Sequence, residues 1–392
     1  MKKISQRAAD IQPFQVMALL EQAQGLEKQG VDVIHLEVGE PDFETPQPIA
    51  DAAINAIQSG KTGYTPALGL PELKAKISEY YLSEFDVTIS KERIVITSGA
   101  SGALQLLMAA RIEAGDQVLM SEPGYPCNAH FVNTFGGEAQ LITTESKDDF
   151  HLTPELIQQY WQPNTQAALL ASPANPTGAV IPKAKLTHLF ETVDQLGGEL
   201  WVDEIYQGLT YSGNDKAVHY SALDISDEIV VINSFSKLFA MTGWRLGWMV
   251  VPEKYIDPIN RLAQNLFLAP PTTAQQGAMA AFTDETHAII EQRKNELKER
   301  RDYLLKVLPE LGFKIAAVPS GAFYIYLDAQ ALTDNSEQFC QDLLVSKGVA
   351  LTPGLDFDNR LGHHYIRIAY AASLERLQEA VNRIEAFLAE KS

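Results

Sequence analysis

Residues 229–251 read IVVINSFSKLFAMTGWRLGWMVV. The run Ile229–Asn233 is apolar and β-branched, the composition of a strand buried on both faces. Lys237 comes directly after it. A lysine just beyond the C-terminal end of a core strand stands at the ligand crevice of an open α/β sheet. Burial or cationic neighbours lower the pKa of such an amine, and an amine so poised forms Schiff bases with carbonyls. Ser234, Ser236 and Arg245 surround it with hydroxyl donors and a guanidinium fork, groups that match a phosphate dianion. Taken in isolation, a lysine after a strand is an ordinary surface residue; the company Lys237 keeps is what points to chemistry.

Outward from this segment, Ile94–Thr97, Val118–Ser121, Ala168–Ser172, Leu200–Asp203 and Leu246–Val251 are further short β-rich runs. Stretches with helical apolar spacing, such as Ala103–Arg111 and Pro182–Leu196, lie between several of them. The alternation predicts an α/β fold, a mainly parallel sheet with helices on both faces. From about Thr283 to Leu308 the pattern becomes one long charged helix, with Ile289, Ile290, Leu297, Leu304 and Leu308 on one face. Strand Ala322–Leu327, helix Ser336–Lys347, strand Tyr365–Ala369 and helix Leu374–Leu388 then form a smaller α+β unit. The first 40 or so residues read as an arm and helix feeding that unit. The predicted division is therefore 1–45 as arm and part of the small domain, 46–285 as the large domain, and 286–392 as the C-terminal part of the small domain.

The 392 residues are ample for a sizeable core. The net charge of −19 repels phosphate backbones, so no nucleic-acid partner is expected. No apolar run approaches the roughly 18–20 residues that span a bilayer. Arg7 and Asp10 interrupt any signal-peptide core after Lys2 and Lys3. Two distant cysteines, Cys127 and Cys340, exclude a disulfide framework and fit a reducing compartment. A cytoplasmic protein is expected. No His/Cys cluster has metal-ligand spacing, and His363-His364 reads as a solvated or packed pair.

Four more turns fall at strand ends. Ser98-Gly99-Ala100-Ser101-Gly102 precedes a helix, where small residues expose backbone N–H groups at a positive helix end. Glu122-Pro-Gly-Tyr125-Pro-Cys127 follows a strand, with Cys127 reading as a small packed residue. Asn175-Pro176-Thr177-Gly178 and Asp203-Glu-Ile-Tyr206 follow two others. Alone, each has an ordinary reading: a tight βα turn, a turn tyrosine packing on the core, a Pro-Gly turn, and a helix-capping aspartate before a half-buried tyrosine.

Together with Ser234-x-Ser236-Lys237 and Gly243-Trp-Arg245-x-Gly247, these turns resemble the landmarks of the class I/II aminotransferases, the aspartate/aromatic aminotransferase-like enzymes of fold type I. The landmarks occur in order over nearly the whole chain. The resemblance implies a mainly parallel seven-stranded sheet flanked by helices, a smaller α+β domain, and the cofactor pyridoxal 5′-phosphate (PLP). It makes Lys237 the Schiff-base lysine and proton shuttle. Gly99, Ala100, Ser101, Ser234, Ser236 and Arg245 are implied to hold the cofactor phosphate, and Tyr125 to stack on its ring. Asp203 is implied to pair with the ring nitrogen, and Asn175 and Tyr206 to bind the phenolic oxygen. Arg367, in Tyr365-Ile-Arg-Ile-Ala, matches the arginine that grips the substrate α-carboxylate, with a structural salt bridge as its ordinary alternative. Asn175 and Gly39, the latter in Val38-Gly-Glu-Pro-Asp42, fall beside that carboxylate.

Thr62-Gly-Tyr64-Thr-Pro-Ala-Leu-Gly69 is similar to the family segment whose tyrosine reaches the phosphate of the neighbouring subunit, which implies a homodimer with shared sites. The implied reaction is ping-pong transfer of the amino group of an L-amino acid to a 2-oxo acid, with 2-oxoglutarate as the expected acceptor. A lysine near the position of Ser101 grips the side-chain carboxylate in the prokaryotic aspartate branch; serine here leaves aromatic and aliphatic donors open. The same cage also serves C–S β-lyases, and related domains occur in non-catalytic regulators. A regulator of that kind needs a basic DNA-binding module, which this acidic chain does not display.

Overall fold

The computed structural model describes residues 4–11, 15–211 and 215–391. Seven strands form one sheet in the order Ile94–Thr97, Gly247–Val250, Val230–Ser234, Glu199–Asp203, Thr165–Ala171, Gln117–Glu122, Glu138–Thr143. Every pair from Val230–Ser234 outward to Glu138–Thr143 is parallel. Gly247–Val250 runs antiparallel to both its neighbours. The expected mainly parallel sheet is therefore present, with one reversed strand.

Side chains along the inner strands alternate between two cores. Val95, Val118, Met120, Trp201, Val230 and Met249 pack on one face. Ile94, Leu119, Leu170, Val202, Val231 and Trp248 pack on the other. A period of two with both sets buried means that helices cover the sheet on both sides. What remains open is the edge where the strands end, and the functional turns lie there.

The edge strand Glu138–Thr143 was not expected from the sequence. Of its six residues only Ile142 is buried, so it lacks the apolar run that marks the inner strands. The strand expected from Ala322 begins at Tyr324, because Ala322 adopts a left-handed conformation (φ 55°) incompatible with extended pairing. The helix expected from Ala103 begins at Gly99, so the small-residue turn is itself the first helical turn. The long helix runs Asp284–Val307, capped by Thr283, whose hydroxyl accepts from the Thr286 amide at 3.4 Å. Unanticipated helices Gln47–Gln58, Pro71–Phe85, Pro126–Thr134 and Pro154–Tyr160 all carry proline in the first turn, a legible start signal.

A second, antiparallel sheet runs Thr352–Pro353, Tyr365–Ala369, Tyr324–Asp328, Lys314–Ile315. Ile34–His35 pairs in parallel with Val349–Ala350. Asp32 accepts from Arg376 and Arg383 of the last helix, so the N-terminal segment is stitched to the end of the chain. Among the described residues no helix is long and apolar enough to cross a membrane.

Leu119 is fully buried, on the strand between Thr165–Ala171 and the edge strand Glu138–Thr143. Leu119→Ala is expected to cost about 2–5 kcal/mol in urea denaturation, whereas Val345→Ala, at a position 57% exposed, should stay within about 0.5 kcal/mol.

Candidate active site

A cavity of about 300 Å³ lies where the strand ends meet the second sheet. Gly39, Ala100, Ser101, Tyr125, Asn175, Asp203, Tyr206, Ser234, Ser236, Lys237, Arg245 and Arg367 all line it. Two predicted residues do not. Neither Gly99 nor Tyr64, the latter 87% exposed, is among the residues that line it.

The Lys237 turn is built on aromatic packing. Phe235 and Phe239 lie 5.3 Å apart between ring centroids, and Trp248 and Phe282 close around them. This cluster fixes the chain just after the strand, so Lys237 emerges at one place. Its Nζ donates to the Gly39 carbonyl at 2.5 Å. Burial pulls the amine down to about 8; Glu40 and Asp203 oppose this, while Arg367 and Arg245 add to it.

Asp203 ends its strand in a buried position, and Oδ1 accepts from the Ile205 amide at 3.1 Å. Burial raises its carboxyl to about 6, against the stabilising effects of the Ile205 N–H, the Asn128 side chain and Lys237. Asn128 was not singled out from the sequence. It lies three residues after Tyr125, on the same face of the helical turn, and that spacing was the available signal.

Arg367 comes from the middle of the second sheet and is 2% exposed. Nη1 donates to Asn175 Oδ1 at 2.8 Å, and Nη2 to Thr352 Oγ1 at 3.1 Å and to the Glu37 carbonyl. The Tyr324 and Phe357 rings lie 4.6 and 4.7 Å from the guanidinium carbon. Nε has no partner, and among the described residues no carboxylate forms an ion pair with this side chain. The ordinary alternative for Arg367, a structural salt bridge, is therefore not what the structure contains. A buried cation surrounded by neutral oxygens and ring faces is a receptor for an anion.

Tyr324 is a second residue the sequence did not flag. Its hydroxyl lies 2.7 Å from that of Tyr206, 118 residues away, and no local pattern announces such a pairing. It also explains Gly39: a Cβ there would sit 2.4 Å from the Tyr324 hydroxyl.

At the other end of the cavity, the helix Gly99–Arg111 presents its first turn. Ser234 Oγ donates to Ser236 Oγ at 2.9 Å, and Arg245 donates to the Thr242 carbonyl at 2.9 Å. Gly99 has φ +73°, and a Cβ there would come within 2.7 Å of Arg245 Nη2. Glycine thus lets the guanidinium close over the helix N-terminus. Two hydroxyls, one guanidinium and free helical N–H groups form an anion subsite. Cys127 is half-buried and its thiol is pushed up by burial, which suits a packed thiol rather than a nucleophile.

A family model described as aminotransferase class I and II matches residues 31–384. The (5-formylfuran-3-yl)methyl phosphate transaminase of Methanocaldococcus jannaschii is 38% identical, over 98% of this chain and 99% of that protein. The valine–pyruvate aminotransferase of Mycobacterium tuberculosis is 36% identical, over 97% of each. A crystal structure of an aminotransferase from Mycobacterium tuberculosis superposes with a TM-score of 0.95 at 36% identity, covering all of both chains.

The Asp203 carboxyl has a pH signature. Its folded value of about 6 lies above the ordinary 3.8, so between these values the folded state binds the extra proton. Stability from this group is full below about pH 4 and is lost as pH rises through 6. Relative to Asp203→Asn, the cofactor-free protein should lose up to roughly 3 kcal/mol between pH 4 and 7 in urea titrations.

Proposed function

This chain belongs to the class I and II aminotransferases, and on that premise we propose that it is a PLP enzyme moving the amino group of an L-amino acid to a 2-oxo acid. The observation that carries this reading is the meeting, in one cavity, of a half-buried amine, a buried carboxyl and a buried guanidinium without a carboxylate partner.

The residues fit the cofactor. Ser234, Ser236, Arg245 and the N–H groups of Gly99, Ala100 and Ser101 would bind its phosphate. Asp203 would bind the ring nitrogen, and Tyr125 would lie against the ring. Asn175 has its oxygen turned to Arg367, which leaves its amide nitrogen, with Tyr206, for the phenolic oxygen. Lys237 would hold the cofactor covalently through Nζ. When bound, PLP supplies an aldehyde for the amino group and a ring that takes up electron density from the substrate Cα.

The chain's own groups account for the rest. Arg367 binds the α-carboxylate, and the Gly39 backbone lies beside it. That fixes the Cα–H bond relative to Lys237. An amine with a pKa of about 8 serves near neutrality as a base when free and as an acid once protonated, so Lys237 Nζ would take up and hold the proton of the substrate Cα. The donor leaves as its oxo acid before the acceptor enters, and 2-oxoglutarate is the proposed acceptor.

In this reading residues 46–285 carry the cofactor, and 1–45 with 286–392 close over it and exclude water. Tyr64 would reach the site of a second subunit, making the enzyme a homodimer. The proposed location is the cytoplasm.

Borohydride reduction of the PLP-loaded protein should trap an adduct at Lys237, found by peptide mass spectrometry. An adduct elsewhere, or none, would overturn the assignment. With a panel of amino donors and oxo acids, Lys237→Ala should slow turnover by at least about 10³-fold. Arg367→Leu should lower kcat/KM for donors by about 10²–10³-fold while leaving the cofactor absorbance in place.

A further inference from the structure

Beside this site lies a second, larger cavity of about 560 Å³. It opens beyond Tyr125, at the ends of strands Gln117–Glu122 and Thr165–Ala171. Tyr125, Asn128, Ala171 and Asn175 line both cavities, so the two are adjoining. The proposed amino transfer makes no use of its interior. The walls are mostly apolar, with Met120, Leu141, Phe150, Leu152 and Leu169 among them.

Two buried acceptors break that apolar lining. His151 is 4% exposed and its Nε2 has no partner. Its ring is hydrogen-bonded to the Val180 backbone, and burial holds the imidazole neutral, with a pKa near 3. A neutral imidazole with one N–H committed to a carbonyl offers its other nitrogen as an acceptor. Asn128 is 7% exposed; its amide is engaged with Asp203, and its Oδ1 has no partner.

The charge lining the cavity narrows the ligand further. No lysine or arginine is among its described residues, while Glu122 and Asp356 are. An anion therefore meets no lysine or arginine there. Both carboxylates are already engaged, Glu122 by Asn359 and Asp356 by the Gln15 and Val16 amides. An ammonium group would lose its water for little return.

We propose that this cavity binds a neutral, largely apolar group carrying an N–H or O–H donor, which reaches His151 Nε2. The group is either the side chain of the amino donor, an arm that rests on the transaminase reading, or a free small molecule.

Calorimetric titration of the PLP-loaded enzyme with indole and with indene, its counterpart lacking the N–H, tests this. Indole should bind about fivefold tighter than indene, the usual worth of one neutral hydrogen bond. Leu141→Trp fills the cavity from its rim at a position 39% exposed, where the fold tolerates bulk; it should weaken indole at least about tenfold. His151→Phe should bring indole down to the level of indene. Equal binding of indole and indene, or indole binding that survives Leu141→Trp, overturns the proposal.

Tryptophan and alanine as donors separate the sources. If Leu141→Trp lowers kcat/KM for tryptophan by at least about tenfold and leaves alanine unchanged, the side chain is the ligand. If both donors are unaffected while indole binding is lost, a free molecule is. Failure of every donor to turn over would defeat the transaminase reading, and the indole titration would still decide this one.

Discussion

The site is organised around a guanidinium that has no counter-charge. Arg367 is held by a side-chain amide, a hydroxyl and a backbone carbonyl, and by two ring faces. Each is polar enough to keep a cation in place, and none neutralises it. A carboxylate in that shell would form a closed ion pair and remove any reason for an anionic ligand to enter. The demand for neutral partners accounts for much of the surrounding sequence. Asn175 has to be an amide, Tyr324 has to turn its ring to the arginine, and Gly39 has to lack a side chain so that the Tyr324 hydroxyl fits.

Around that fixed charge, burial drives two groups towards each other in pKa. Desolvation lowers the amine of Lys237 and raises the carboxyl of Asp203, to about 8 and about 6. In water these groups would be separated by more than six units. Bringing them close to neutrality lets a proton move at small cost, the common pattern where acid and base chemistry share one pocket. The same shifts oppose the stability of the cofactor-free protein, since each group would be better solvated outside. A ligand that supplies a cation near Asp203 and removes the charge on Lys237 relieves both.

Most of this was legible because the functional residues lie in short segments with strong local grammar. A buried strand followed by Ser-x-Ser-Lys, or a strand followed by small residues and a helix, is visible without a structure. The parts that were not legible have physical reasons. The strand Glu138–Thr143 lies at the sheet edge, with one buried residue of six, so no burial pattern marked it. Ala322 looked like strand, but its left-handed backbone delays the start of the strand by two residues, to Tyr324. Tyr324 enters the site only because the second sheet delivers it opposite Tyr206, a contact made between elements. Asn128 shares a helical turn with Tyr125, yet its meaning depends on Asp203, 75 positions further along the chain.

The cage and the choice of donor are built from different parts of the chain. Relatives over a third identical carry names with substrates as unlike as a formylfuran phosphate and valine, so the shared groups do not fix the substrate. Here the residues near the cavity mouth include Val16 and Met17, at the start of the helix Gln15–Glu27. That helix packs on Val349–Ala350, outside the large sheet. Its first turn leaves amide donors without helical partners, and the Asp356 carboxylate accepts two of them, from Gln15 at 3.2 Å and Val16 at 2.9 Å. Asp356 lies two residues before Asp358 in the loop whose next residue, Asn359, donates to Glu122, just ahead of Tyr125. A substitution in the first turn of the helix, or in the loop that caps it, reshapes the mouth while Lys237, Asp203 and Arg367 stay where they are. Specificity can therefore drift at the rim under a chemistry that the strand ends hold constant.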